Sequence, residues 1–190
     1  MSASAPVLVP ASASDLVRLH AAARFAADRH ADQRRKDPRR LPYINHLIEV
    51  AQLLAEAVGD SDVQLVMAGY LHDSIEDVGV TYEELQGTFG VDVADLVLEV
   101  TDDKSLSREV RKQRQIEHAA TISRRGQWLK QADKISNVRS ILESPPADWT
   151  VERRLDYVVW AGRVVAAMPE PHPYLQGKFE ALHARALAAS

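Results

Sequence analysis

The 190-residue chain has no cysteine. Thiol catalysis, disulfides and cysteine-bound zinc or iron–sulfur centres are therefore excluded. No run approaches the roughly 20 apolar residues that cross a bilayer. Alternating apolar and polar positions never persist beyond a few residues, which leaves little for a β-sheet. Basic residues do not dominate: 23 Lys and Arg against 27 Asp and Glu leave a net charge of −4. A protein that grips a nucleic-acid backbone usually carries the opposite balance. Residues 1–14 have neither a basic start nor a continuous apolar stretch, so they read as a disordered lead-in and not as a secretory signal. A cytoplasmic location is the default that follows, without nucleic-acid or membrane partners.

What the chain does have is helical periodicity and a globular balance of 46% hydrophobic and 26% charged residues. Apolar residues recur at three- and four-residue spacing from Asp15 to His30, with Ser14 as N-cap. The polar, proline-broken stretch 31–43 predicts a loop. Helices follow from about Asn45 to Val58, stopped by Gly59, and from Asp62 to His72. The second of these is nearly all apolar and is expected to be the most buried. Thr81 and Glu84 have the spacing of a capping box for a short helix ending near Gly90, and another short helix runs to Val100. After a polar loop at 101–107, helices are expected over 108–120, 127–143, 150–168 and from Pro173 onward. The reading is all-α, about nine helices in one compact domain spanning 15–190.

The chemistry-bearing segment is His72-Asp73-Ser74-Ile75-Glu76-Asp77, which puts four ionisable groups at the end of the most apolar helix. On a continuing helix they would share a face, and their crowded acids would need a cation. Two distant places bear on this. His46 opens the second helix, behind the basic loop Arg34-Arg35-Lys36-Asp37-Pro38-Arg39-Arg40. Asp133 lies among Trp128, Leu129, Ala132 and Ile135, with Asn137 one turn on. Taken singly, His46 reads as an ordinary helix-start histidine, Asp133 as a partner of Lys130 or Lys134, and the His72–Asp77 acids as a solvated helix end. Taken together, His46, His72, Asp73 and Asp133 form a mixed nitrogen and oxygen set. Such a set suits a divalent ion with five or six ligands and room for water. Glu76 and Asp77 are then spare carboxylates that can orient or deprotonate that water.

The strings Asp32–Pro38 (DQRRKDP), Tyr43–His46 (YINH), His72–Asp77 (HDSIED), Glu99–Leu106 (EVTDDKSL) and Ala132–Arg139 (ADKISNVR) resemble the hydrolase domain of the RelA/SpoT superfamily. The likeness is to its small stand-alone, metazoan-type alarmone hydrolases, with the motifs in family order from about Phe25 to Leu182. The resemblance implies an HD-domain phosphohydrolase fold. It implies manganese held by His46, His72, Asp73 and Asp133, and a catalytic pair Glu76 and Asp77. It assigns substrate contacts to Arg35, Lys36, Arg108, Asn137 and Tyr157. The implied substrate is guanosine 3′-diphosphate 5′-diphosphate (ppGpp) or its pentaphosphate, cleaved to GDP or GTP plus pyrophosphate. The basic loop agrees with a polyanionic ligand. So do the clusters Arg108, Arg111, Lys112, Arg114 and Arg124, Arg125, Lys130, although the last reads at least as well as a solvated surface run. No nucleotide-synthetase motif accompanies the set, so degradation and not synthesis is expected. Two other readings stand beside it: a phosphatase for NADPH or another phosphorylated nucleotide, and a nucleotide-sensing module without catalysis. Three departures from the family pattern are Leu47 after His46, Arg39-Arg40-Leu41 before the YINH string, and Ser136.

Overall fold

The structure is a computed structural model that describes residues 13–189; most of the expected lead-in lies outside these. Ten α-helices follow one another: α1 (Asp15–Arg29), α2 (Ile44–Val58), α3 (Val63–Leu71), α4 (Ser74–Val78), α5 (Tyr82–Phe89), α6 (Val91–Val100), α7 (Arg108–Ala119), α8 (Arg124–Glu143), α9 (Val151–Ala166) and α10 (Pro173–Ala188). Nine have eight residues or more and α4 has five. No strand occurs among the described residues, only one isolated bridge between Arg34 and Pro42.

The core is built around α3 and α8. In α3, Leu65, Val66, Met67, Ala68, Gly69 and Leu71 are all buried, and the helix packs on α1, α2 and α6. Gly69 makes that packing possible, because a Cβ there would come within 2.9 Å of the Ala51 Cα. The 20-residue α8 is enclosed by α2, α3, α6, α9 and α10. It buries polar residues too, but each has a partner. Gln127 donates to the Ile122 carbonyl at 3.0 Å and Gln131 to Gln176 at 2.8 Å, while Lys130 donates to the Val100 carbonyl at 2.8 Å. Burying such groups without partners would cost a few kcal/mol each.

Caps explain most of the boundaries. Asp62, Ser107, Ser123 and Thr150 each accept a backbone N–H from the first turn that follows them. Helix α8 therefore begins at Arg124, three residues before the expected start. Gly126, which looks like a breaker in sequence, sits in its first turn because the Glu99 carboxylate lies 2.3 Å from where a Cβ would stand. At α5 only half of the capping box forms. Thr81 Oγ1 accepts from the Glu84 N–H at 3.2 Å, but the Glu84 side chain is engaged by Arg29. Ser14 occupies the N-cap position of α1 without a side-chain bond. The segment 72–77 does not continue α3: that helix ends at Leu71, the chain turns at His72 and Asp73, and α4 starts at Ser74.

Candidate active site

Three segments meet at one point. His46 comes from the first turn of α2, His72 and Asp73 from the break between α3 and α4, and Asp133 from the middle of α8. His46 Nε2 lies 3.3 Å from Asp133 Oδ1 and 3.6 Å from Asp73 Oδ2. His72 Nε2 lies 3.1 Å from Asp73 Oδ2 and 3.8 Å from Asp133 Oδ1. One ligand atom each from His46, His72 and Asp133 lies within 4.8 Å of the others, and Asp73 Oδ2 borders both imidazoles. The helix break is what brings His72 and Asp73 to the same point; on a continuous helix these neighbours would point about 100° apart.

Both imidazoles turn Nε2 toward the cluster. His72 Nδ1 is 2.9 Å from the Gly69 carbonyl, which can only accept, so the proton sits on Nδ1. The buried His72 Nε2 then has no hydrogen-bond partner. An orphaned buried nitrogen facing two carboxylates fits a divalent cation. The electrostatics agree. Burial alone would lower the His72 pKa, but the Asp73 and Asp133 carboxylates overturn this and hold it well above the usual value. The cluster thus gathers positive charge. Burial pushes the Asp133 carboxyl up, but Lys134 and the two imidazoles outweigh it and hold that group well below the carboxylate range. Lys134 donates to Asp133 Oδ2 at 3.0 Å, so the expected pairing with a neighbouring lysine exists, on the oxygen turned away from the imidazoles. Asn137 donates to Asp133 Oδ1 at 2.6 Å, as their shared face predicted. Tyr43, not assigned a role from sequence, donates its hydroxyl to Asp73 Oδ2 at 2.7 Å.

Glu76 and Asp77 project from α4 beside this cluster, in unlike surroundings. Asp77 accepts from Gln33 Nε2 at 2.7 Å and is paired with Lys104. Glu76 accepts only the Asp102 backbone N–H, at 3.2 Å, with Lys104 farther off at 3.9 Å. Burial, then the Asp102 and Asp73 carboxylates, push the Glu76 carboxyl up to about 7. A carboxyl poised near neutral pH is suited to take a proton and give it back.

The floor opens into a cavity of about 360 Å³ lined by Lys36, Arg108, Arg111, Lys112, Lys130, Lys134 and Arg153, with Trp149, Tyr157 and Trp160. It adjoins a second cavity of about 320 Å³ that shares Lys36, Tyr43, Asn137, Trp149 and Tyr157, and adds Arg35 and Ile141. All five residues expected to touch substrate line one or both. The 34–40 loop owes its order to Asp37, whose buried carboxylate accepts the Arg39 N–H at 3.2 Å and the Leu41 N–H at 3.1 Å. Arg40 adopts a positive φ of 48° in that turn. The third basic cluster disperses: Arg125 pairs with Asp62 at 2.6 Å, Arg124 lies over Trp128, and only Lys130 reaches the cavity. Lys104, Trp149 and Arg153 escaped the sequence reading, since each belongs to a loop or first turn that only tertiary packing brings to the site.

A helical scaffold carrying a paired histidine–aspartate cluster defines a class, and the chain belongs to the HD domain family, whose model matches residues 22–162. More particularly, it is 41% identical over 167 residues to the guanosine-3′,5′-bis(diphosphate) 3′-pyrophosphohydrolase MESH1 of Xenopus tropicalis, covering 88% of this chain and 93% of the relative. It is 47% identical over 141 residues to the enzyme of the same name from Drosophila melanogaster, covering 74% and 79%. The fold matches the solved structure of a metazoan orthologue of SpoT that hydrolyses ppGpp, with a TM-score of 0.85 and 39% identity over 95% of this chain and 99% of that one. Among the described residues, no helix is long and apolar enough to cross a membrane.

Proposed function

We propose that this chain hydrolyses ppGpp and its pentaphosphate at the 3′ position, releasing pyrophosphate and GDP or GTP, with manganese as the working ion. The observation that carries this reading is the convergence of four metal-ligand side chains beside Glu76 and Asp77, on the floor of a cavity walled by cations. His46, His72, Asp73 and Asp133 would hold the ion. When bound, it supplies Lewis-acid charge stabilisation at the phosphoryl group under attack. Glu76 takes a proton from the attacking water, and Asp77, tethered by Gln33 and Lys104, orients that water. The new oxygen–phosphorus bond forms as the bond from phosphorus to the 3′ oxygen breaks, and the proton taken by Glu76 is returned to the departing 3′ oxygen.

Arg108, Arg111, Lys112 and Arg153 offer enough positive charge for the remaining phosphates. The second cavity suits the nucleoside, with Arg35 able to lay its planar guanidinium on a purine and Asn137 and Tyr157 at its edge. These cations converge inside a concavity and do not form an exposed stripe, which favours a small nucleotide over a nucleic acid.

The test is incubation with ppGpp and Mn²⁺, following GDP and pyrophosphate, then repetition with chelator and with Asp73→Ala. Both should abolish release. Products other than GDP plus pyrophosphate would refute the cleavage position, and a higher kcat/KM for NADPH than for ppGpp would move the assignment to the phosphatase reading. Tight ppGpp binding with no phosphate release would point to the sensing module.

A further inference from the structure

We infer that Ser136 and Glu49 form a positioning relay for His46: a carboxylate–hydroxyl–imidazole chain that selects the tautomer able to bind the ion. This rests on the reading of His46 as a metal ligand. Ser136, on α8, is buried between His46 and Glu49, which lie three residues apart on α2. Its hydroxyl donates to Glu49 Oε2 at 2.6 Å, and the same oxygen lies 2.8 Å from His46 Nδ1. A hydroxyl has one proton. A carboxylate cannot return one, so the Ser136 proton goes to Glu49 and its lone pairs face His46. The histidine must then carry its proton on Nδ1, with Nε2 bare and turned to the cluster. Arg139 engages the other oxygen of Glu49 and keeps that carboxylate aimed.

The relay has a competitor. His46 Nε2 stands 3.3 Å from Asp133 Oδ1, so without Ser136 a proton on Nε2 would be drawn to that carboxylate and would fill the ligand position. His72 reaches the same end through a backbone carbonyl, whereas His46 Nδ1 meets the Ser136 hydroxyl.

Calorimetric Mn²⁺ titration of the full chain tests the relay. Ser136→Ala should weaken binding about 10–100-fold, the usual cost of losing the group that orients a ligating histidine. Ser136→Thr, which keeps the hydroxyl, should bind within about threefold of the parent, a margin of roughly 0.65 kcal/mol. Glu49→Ala should weaken binding when Ser136 is present and add nothing in the Ser136→Ala background. Ser136→Ala binding within twofold of the parent, or two losses that simply multiply, would overturn the relay. Long-range proton–nitrogen NMR of the metal-free parent gives an independent reading: the His46 proton is expected on Nδ1, and a proton on Nε2 would overturn the relay. If the parent shows the Nδ1 proton yet binds no Mn²⁺, the relay stands and the proposed metal function is what fails.

Discussion

Glu76 and Asp77 are adjacent in the chain but electrically unlike, and that difference makes them separable by experiment. Asp77 has a lysine and an amide on its oxygens; Glu76 has one backbone N–H and two neighbouring carboxylates. With its carboxyl raised to about 7, Glu76 becomes a base only as the pH climbs through that value, so activity should be lost on the acid side. A bound cation lowers the midpoint, which sets about 7 as its upper limit. The pH profile of kcat/KM should show this acid limb, and Glu76→Gln should remove it while lowering kcat at least about 100-fold. Full kcat in metal-saturated Glu76→Gln would refute the role. Lys134 offers a stability test at the same scale. It is buried and holds Asp133, and the Asp133 carboxylate raises its pKa against the desolvation that would lower it. Lys134→Met leaves a buried carboxylate without its partner and should cost about 3–5 kcal/mol by denaturant unfolding of the metal-free protein. Motif residues such as these were readable from the chain because burying several ionisable groups beside apolar helices calls for compensation. The protonation of Glu76 was not readable, because it depends on Asp102, 26 positions away in the chain.

Among the elements, the junction of α3 and α4 is where sequence and structure part. A continuous helix through His72 is what the apolar run suggests, yet the turn at His72 and Asp73 is what aims both side chains at the site. Helix α3 is held against α2 by the Gly69 contact, and the Gly69 carbonyl is also the acceptor that orients His72. Gly69→Ala should therefore cost about 1–3 kcal/mol through overpacking and weaken Mn²⁺ binding as well, which unfolding curves and calorimetry would check together. A loss of stability with unchanged affinity would show that the two effects are not linked. In the 34–40 loop, Arg40 holds a conformation that branched residues tolerate poorly. Arg40→Val should lower stability by about 1–2 kcal/mol, whereas Arg40→Gly should not lower it; equal losses in thermal denaturation would exclude backbone strain as the cause. Helix existence was legible from three- and four-residue periodicity, and the start of α5 from its Thr81 cap. The early start of α8 was not, because Gly126 acts through Glu99, a contact made only in the folded chain.

For the molecule as a whole, the candidate metal site ties together α2, the α3–α4 break and α8. An ion that binds only the folded chain stabilises it by mass action, about 2.7 kcal/mol at 100 times Kd. Thermal denaturation should accordingly show a higher Tm with Mn²⁺ than with chelator, and Asp133→Asn should abolish the difference; a Tm insensitive to Mn²⁺ would count against the shared site. The described helices enclose a core of wholly buried side chains, among them Leu47, Leu54, Leu65, Met67, Leu129 and Ile135. Each contributes on the order of 1.5–3 kcal/mol. The chain's order of residues alone determined the helical class and the near-exclusion of sheet, and it singled out the proposed ligand set and acid pair, because periodicity and residue chemistry are local properties. Tertiary structure alone decided that His46 and Asp133, 87 residues apart, face the same point, that Ser136 sits between an imidazole and a carboxylate, and that scattered cations line one cavity. Those outcomes depend on how helices pack, and packing is settled by distant surfaces meeting and not by neighbours along the chain.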